Sequence, residues 1–128
     1  MRYLLDTTAL IDFSKGREPA CSHILAMIEA GDELGVCAVN VAEFYAGLPP
    51  DKQPTLAGFI DSLNYLDITR EAAMRAGQYR YEQARQGRSV STSDAMVAAV
   101  AHHYHAVIVT DNVKDYPMPD IQLLPLRR

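Results

Sequence analysis

Tyr3-Leu4-Leu5-Asp6-Thr7-Thr8-Ala9-Leu10-Ile11-Asp12 is the stretch from which the fold of this chain is read. Three apolar residues run straight into a carboxylate and two hydroxyls, the pattern of a short buried strand that stops with Asp6 at its carboxyl end. In open parallel α/β sheets, ligands bind in the crevice outside that end of the strands. One strand alone carries little, so the question is what else the chain brings to the same edge.

Outward from this stretch, Thr7 or Thr8 is expected to cap a short helix over 9–13, broken by Gly16. Pro19 opens a second helix, with Cys21, Ile24, Leu25 and Ile28 spaced to line one face, and Gly31 closes it. A second strand is expected over 34–39, then a helix over 41–46 capped by Asn40 and ended by Gly47 and Pro49-Pro50. An amphipathic segment over 51–63 places Leu56, Phe59, Ile60 and Leu63 on one stripe, and 65–68 reads as a third strand. Thr69 caps a long helix to about residue 86, whose inner face is expected to be the small residues Ala72, Ala73, Ala76, Gly77 and Ala84.

Ser91-Thr92-Ser93-Asp94 is a dense helix start, followed by seven consecutive apolar residues, Ala95 to Ala101. A helix apolar all round is buried all round, so this one belongs centrally against the sheet. A fourth strand over 106–110 runs into Asp111 as the first runs into Asp6, and a fifth, edge strand is expected over 121–124. Strands alternate with helices without a repeat or a splitting linker. The expected fold is α/β, a three-layer α/β/α sandwich on a mostly parallel sheet of four or five strands, with residues 1–128 as a single domain.

Composition agrees: 128 residues, 48% hydrophobic and 22% charged, describe one globular core rather than a disordered chain. The net charge of -4 argues mildly against a nucleic-acid partner, but carboxylates gathered on a metal would be neutralised by it. Cys21 and Cys37 belong to no metal-binding pattern and read as buried thiols of a reducing cytoplasm. Neither a signal peptide nor a membrane span is expected.

Asp6, Glu43 and Asp111 are placed by this reading at one edge, with Asp94 starting the buried helix and Asp115 four residues past Asp111. Taken singly, each has a structural explanation: Asp6 as a helix cap, Asp94 as a complement to a helix dipole, Glu43 as part of a capping box with Asn40, Asp111 and Asp115 as turn residues. Jointly they do not. Two unit charges about 4 Å apart repel by about 4 kcal/mol at an effective dielectric near 20, so converging carboxylates need a compensating cation. Magnesium takes oxygen ligands, keeps several waters and needs one or two direct carboxylates; manganese accepts the same donors. Such an ion polarises phosphoryl oxygens and supplies hydroxide near neutral pH, the chemistry of phosphodiester hydrolysis. No Gly-x-Ser-x-Gly, phosphate-cradling Gly loop or activated cysteine competes. His102, His103 and His105 cluster where cations meet a helix C-terminus, and no second cluster completes a zinc set.

Four blocks, Tyr3-Leu4-Leu5-Asp6-Thr7-Thr8, Val41-Ala42-Glu43-Phe44-Tyr45-Ala46-Gly47, Ser93-Asp94-Ala95-Met96-Val97-Ala98-Ala99 and Val109-Thr110-Asp111-Asn112-Val113-Lys114-Asp115-Tyr116, resemble the signatures of PIN-domain nucleases. More narrowly they resemble the VapC toxins of bacterial toxin-antitoxin pairs, and the resemblance covers essentially the whole chain. It implies a PIN-like fold and a magnesium- or manganese-dependent endoribonuclease whose acids are Asp6, Glu43 and Asp94. Asp6 and Asp94 would ligate the metal, Glu43 would orient or deprotonate the attacking water, and Thr7 or Thr110 would hydrogen-bond the set. The family's fourth block usually reads Thr-x-Asn-x-x-Asp-Phe, so Asp115 is taken as the fourth acid. Asp111, where arginine is common, is the alternative; Asn112 falls where some relatives carry the acid, and Tyr116 stands for Phe. The resemblance also implies a homodimer and a cognate antitoxin whose C-terminal segment blocks the site.

RNA would be met through its phosphates, with Arg70, Arg75, Arg80, Arg85, Arg88, Lys114, Arg127 and Arg128 as candidate contacts. A phosphotransfer receiver would need paired acids after the first strand and an Asp after the third; an aspartyl phosphatase would need Asp in place of Thr8. The rival from another class is a PIN-like module that binds RNA or protein without cutting, against which the retained acids argue. Asp12, nearly two turns beyond Asp6, is read as surface.

Overall fold

The structure, a computed structural model, describes residues 1–127; Arg128, one of the candidate RNA contacts, lies outside them. Strands β1 (Arg2–Leu5), β2 (Glu33–Val36), β3 (Asn64–Tyr65), β4 (Val107–Thr110) and β5 (Leu123–Pro125) form a sheet in the order β3-β2-β1-β4-β5. All four pairings are parallel, within the four- or five-stranded sheet expected. The chain builds one side of β1 through β2 and β3, then returns to the other side through β4 and β5. The topological switch point therefore lies between the carboxyl ends of β1 and β4, where such sheets bind ligands.

Six helices cover the sheet: α1 (Thr7–Ser14), α2 (Ala20–Glu29), α3 (Ala38–Ala46), α4 (Gln53–Ser62), α5 (Arg70–Arg85) and α6 (Thr92–Tyr104). Alternation along the strands separates two cores. Leu4 and Ile108 pack with Val97, Val100 and the alanines of α5 and α6, while Leu5 and Val109 pack with Leu10, Ile24, Phe44 and Ile60 on the other face. The all-apolar stretch of α6 is buried as expected from Ala95 through Ala101, apart from half-buried Met96. Gly35 in β2 permits a close approach: a Cβ there would lie 2.9 Å from Leu66 Cδ1 and 3.2 Å from the Asn64 carbonyl oxygen.

Several local expectations are corrected. The helix after β2 begins at Ala38 and is capped at Cys37, not Asn40; Asn40 sits in its first turn and accepts the Cys37 N–H at 3.2 Å. Glu43 is accordingly outside the capping box. The buried stripe of α2 is Ala20, Ile24 and Met27, and Leu25 and Ile28 are about half exposed, because rotating the helix by one position still satisfies an apolar period. The inner face of α5 is Ala72, Ala76, Tyr79 and Gln83; Ala73, Gly77 and Ala84 face outward. Asp12 is mostly covered and pairs with Arg17 at 3.5 Å. Cys21 is half-buried and Cys37 buried, both free thiols.

The segment leading into β5 is tied down by Asp120, which accepts the Tyr79 hydroxyl at 3.0 Å and lies 3.4 Å from His102 Nε2 and 3.8 Å from Arg75 Nη1. His102 is thereby assigned to a carboxylate contact at the end of α6 remote from Asp94. No helix among the described residues is long and apolar enough to cross a membrane.

Candidate active site

Asp6 is both the cap of α1 and a wall of the site, so its two readings do not compete. It leaves β1 with extended φ/ψ, its N–H donating to the Val109 carbonyl across the switch point at 3.1 Å. Its Oδ1 accepts the Thr7 N–H at 2.5 Å and its Oδ2 accepts the Thr110 hydroxyl at 2.6 Å. The residue is 8% exposed. Burial pushes its carboxyl above the usual range, against the pull of hydrogen bonds from Thr110, Thr7 and Tyr116, and the Glu43 charge pushes the same way as burial.

Glu43 arrives from α3, exposed, and accepts the Thr7 hydroxyl at 2.6 Å. Behind it, fully buried Asn40 donates to Thr7 Oγ1 at 3.4 Å and accepts from the Cys37 N–H and thiol, both at 3.2 Å. Thr7 thus stands between Asn40 and Glu43, able to direct its proton only toward the carboxylate.

Asp94 occupies the first turn of α6, with Ser91 as cap accepting the Asp94 N–H at 3.1 Å. Its carboxyl is also raised, first by burial and then by the charges of Asp115, Asp6 and Glu43, with the Ser91 hydrogen bond opposing. The carboxylates are close enough to perturb one another although they come from four separate segments.

Asp111 and Asp115 differ in what they face. Asp111 is consumed by the C-terminal segment, accepting the Arg127 N–H at 3.1 Å and pairing with its guanidinium at 2.9 Å. Asp115 ends a single turn, Val113–Asp115, and lines a cavity of about 270 Å³ with Asp6, Thr7, Thr8, Glu43, Asp94 and Asn112. Of the five acids singled out in the sequence, Asp6, Glu43, Asp94 and Asp115 border this one opening, as does Asn112; Asp111, expected at the same edge, does not line it.

Sequence reasoning missed three features here. Asn40 looked like a helix cap and instead holds Thr7. Tyr116 looked like a conservative stand-in for Phe, but its buried hydroxyl lies against Asp6; burial and then the Asp6 and Asp94 charges suppress its ionisation, keeping it a hydrogen-bond donor. Thr8 lines the cavity, and its Oγ1 is sealed from solvent without a partner, the one such side-chain atom among the described residues. An orphaned hydroxyl costs about 1–3 kcal/mol.

The basic residues are largely committed. Arg80 donates to the Val90 carbonyl at 2.9 Å, Arg85 lies 4.2 Å over the Tyr81 ring, and Arg88 bonds Gln86 at 2.8 Å. Arg75 and Arg127 face Asp120 and Asp111. Lys114 is exposed and adjoins Asp115 in the chain.

The donor set is all oxygen and anionic, which suits a hard divalent cation. Among the described residues no group of three or more His, Cys, Asp or Glu is placed to hold one metal ion together. An ion held by one or two carboxylates with water completing its shell needs no such group, and it would offset the neighbouring carboxylate charges that, after burial, raise the carboxyls of Asp6 and Asp94.

Comparison with known proteins places this geometry. Residues 3–114 match the model of the PIN domain. The tRNA(fMet)-specific endonuclease VapC of Shigella flexneri is 30% identical over 121 residues, covering 91% of this chain and 90% of the relative. A chain in the crystal structure of DNA-bound VapBC from Salmonella typhimurium superposes with a TM-score of 0.83 at 26% identity, covering 99% of each chain. One in the structure of VapBC2 from Rickettsia felis bound to a promoter DNA fragment gives 0.86 at 20% identity, covering 99% of this chain and all of that one.

Proposed function

We propose that this chain, which belongs to the PIN domain family and within it to the VapC ribonucleases, is the endoribonuclease toxin of a toxin-antitoxin pair, neutralised by a cognate antitoxin. The observation that carries the nuclease reading is the convergence of Asp6, Glu43, Asp94 and Asp115 on one cavity at the switch point of the sheet. That the Salmonella relative was solved as VapBC supports the antitoxin partner.

Magnesium or manganese is the proposed cofactor, held by Asp6 and Asp94; when bound it supplies Lewis acidity toward the scissile phosphate and an acidified water. The chain's own residues do the rest. Thr110 and the Thr7 N–H hold the Asp6 carboxylate in one orientation. Thr7 fixes Glu43, which orients or deprotonates the attacking water, a role for which an exposed carboxylate held by one hydrogen bond suits. Asp115 adds a fourth carboxylate at the opening. The reaction breaks the P–O bond to the leaving ribose oxygen as the water oxygen bonds to phosphorus.

Residues 1–128 are proposed to act as one PIN domain, since its sheet draws strands from both ends of the chain. A cytoplasmic homodimer is proposed on the family resemblance. A PIN-like module that binds without cutting remains the second reading, disfavoured because it gains nothing from mutually repelling carboxyls.

The test is cleavage of RNA by purified protein free of antitoxin. Activity is expected only with magnesium or manganese and is expected to vanish in Asp6→Asn with the fold intact by circular dichroism. Undiminished cleavage in excess chelator, or by Asp6→Asn, overturns the metal mechanism. Sequencing the 5′ ends of RNAs cut in cells after induction identifies the target.

A further inference from the structure

The other threonine and serine hydroxyls around the cavity are paired within the protein. Thr7 Oγ1 donates to Glu43 and accepts from Asn40. Thr110 Oγ1 donates to Asp6 and accepts the Asn112 N–H at 2.9 Å. Ser91 Oγ accepts the Asp94 N–H. Against this background Thr8 stands apart: it borders the same opening, and its hydroxyl has no partner and no solvent.

A hydroxyl in that state stabilises nothing in the free protein, since valine would fill the same space without an orphaned donor. The neighbouring carboxylates do not supply its acceptor either. Both Asp6 oxygens are engaged, and the Thr8 hydroxyl stays unpaired beside the other acids. A group entering the cavity would supply the acceptor that the protein does not give it. Thr8 is the second residue of α1, and threonine in a helix divides between two χ1 wells, so one rotamer step is enough to re-aim the hydroxyl without moving the backbone.

We propose that Thr8 is a substrate-contacting residue whose hydroxyl turns into the cavity and donates to a non-bridging oxygen of the scissile phosphodiester. The inference rests on the nuclease reading above and adds a contact to it. The partner it requires is an acceptor that enters the cavity, and under the nuclease reading that acceptor is an anionic phosphoryl oxygen. The donor would steady the negative charge that gathers on phosphorus-bound oxygen during displacement.

The experiment compares wild type, Thr8→Val and Thr8→Ser on an RNA with a mapped cut site, made with phosphate or with each phosphorothioate diastereomer at that linkage. Thr8→Val is expected to lose roughly 10- to 100-fold in kcat/KM, and Thr8→Ser to stay within a few-fold of wild type. One diastereomer, cut slowly by wild type, should show a smaller sulfur penalty in Thr8→Val, an effect a structural role does not produce. Without RNA, Thr8→Val should melt at the wild-type temperature or above.

Wild-type kcat/KM in Thr8→Val overturns the proposal and leaves the nuclease reading standing. An unchanged sulfur penalty, a loss repaired by more magnesium, or a clearly lowered melting temperature also overturns it, since each assigns the hydroxyl to the metal or the fold. A wild-type protein that cuts no RNA overturns both.

Discussion

Thr110 Oγ1 lies 2.6 Å from Asp6 Oδ2, joining the last residue of β4 to the first residue beyond β1. The bond follows from register. Leu5 pairs with Val109, so the residues that come next on each strand emerge side by side at the switch point. The same hydroxyl accepts the Asn112 N–H, so Thr110 fixes the first acid and the segment carrying the fourth at once.

Thr110→Val is therefore expected to cost about 1–3 kcal/mol in urea denaturation, because it orphans a buried carboxylate oxygen and an N–H together. Metal affinity should fall about 10- to 100-fold by calorimetry. Thr110→Ser should recover most of both. A Thr110→Val protein with wild-type metal affinity would show that Asp6 orients itself.

The two candidate acids of the fourth block separate by mutation. Asp115→Asn is expected to lower RNA cleavage by at least about 10-fold, as loss of a carboxylate facing the proposed metal site should. Asp111→Asn should retain near-wild-type cleavage and lose at most about 1 kcal/mol of stability, since its partner Arg127 is largely exposed. Steady-state rates on one RNA, read beside thermal melts, decide the matter; the reverse ranking would reassign the site.

A pH dependence follows from the raised carboxyls of Asp6 and Asp94. Above the ordinary value of 3.8 and below the raised one, the native state holds protons that the unfolded chain has shed. Stability of the metal-free protein then falls as pH rises through that window and stays lower at neutral pH. Asp94→Asn removes one such group, so thermal melts in chelator should show it at least as stable as wild type near neutral pH and relatively less favoured toward about pH 4. Magnesium should raise the wild-type melting temperature and leave Asp6→Asn nearly unmoved. A clear loss of stability in metal-free Asp94→Asn would mean that its charge at the start of α6 outweighs the repulsion.

Gly35→Ala tests the packing of β2 on β3 independently of the site. The added Cβ meets Leu66 Cδ1 at 2.9 Å and Cγ at 3.0 Å, and the Asn64 carbonyl at 3.2 Å, inside the register that pairs Gly35 with Asn64. A loss of about 1–3 kcal/mol in urea is expected. An unchanged midpoint would mean that Leu66 moves aside freely.

Features written in neighbouring residues were legible. Thr69 caps α5, Ser91 starts α6, and the apolar run from Ala95 to Ala101 is buried, because capping and periodicity act within a turn or two. Asp6 was legible for the same reason, as an acid at a strand end. Choices between adjacent faces were not. Leu25 and Ile28 fit an apolar stripe as well as Met27 does, and only the position of the sheet selects among them. Asn40 was expected to cap the helix after β2; Cys37 caps it, and the side chain of Asn40 reaches Thr7, 33 positions away.

By itself the sequence determined the alternation of strands and helices, the acids at their junctions and the family they resemble, since these depend on interactions short along the chain. Tertiary structure decided which groups act together. Strand order 3-2-1-4-5 brings Asp6 beside Thr110, Arg127 withdraws Asp111 from the opening, and Thr8 is left with a hydroxyl and nothing to bind. Those outcomes depend on contacts between residues far apart in the chain, where a one-position change in register or helix rotation exchanges one partner for another while the local pattern stays the same.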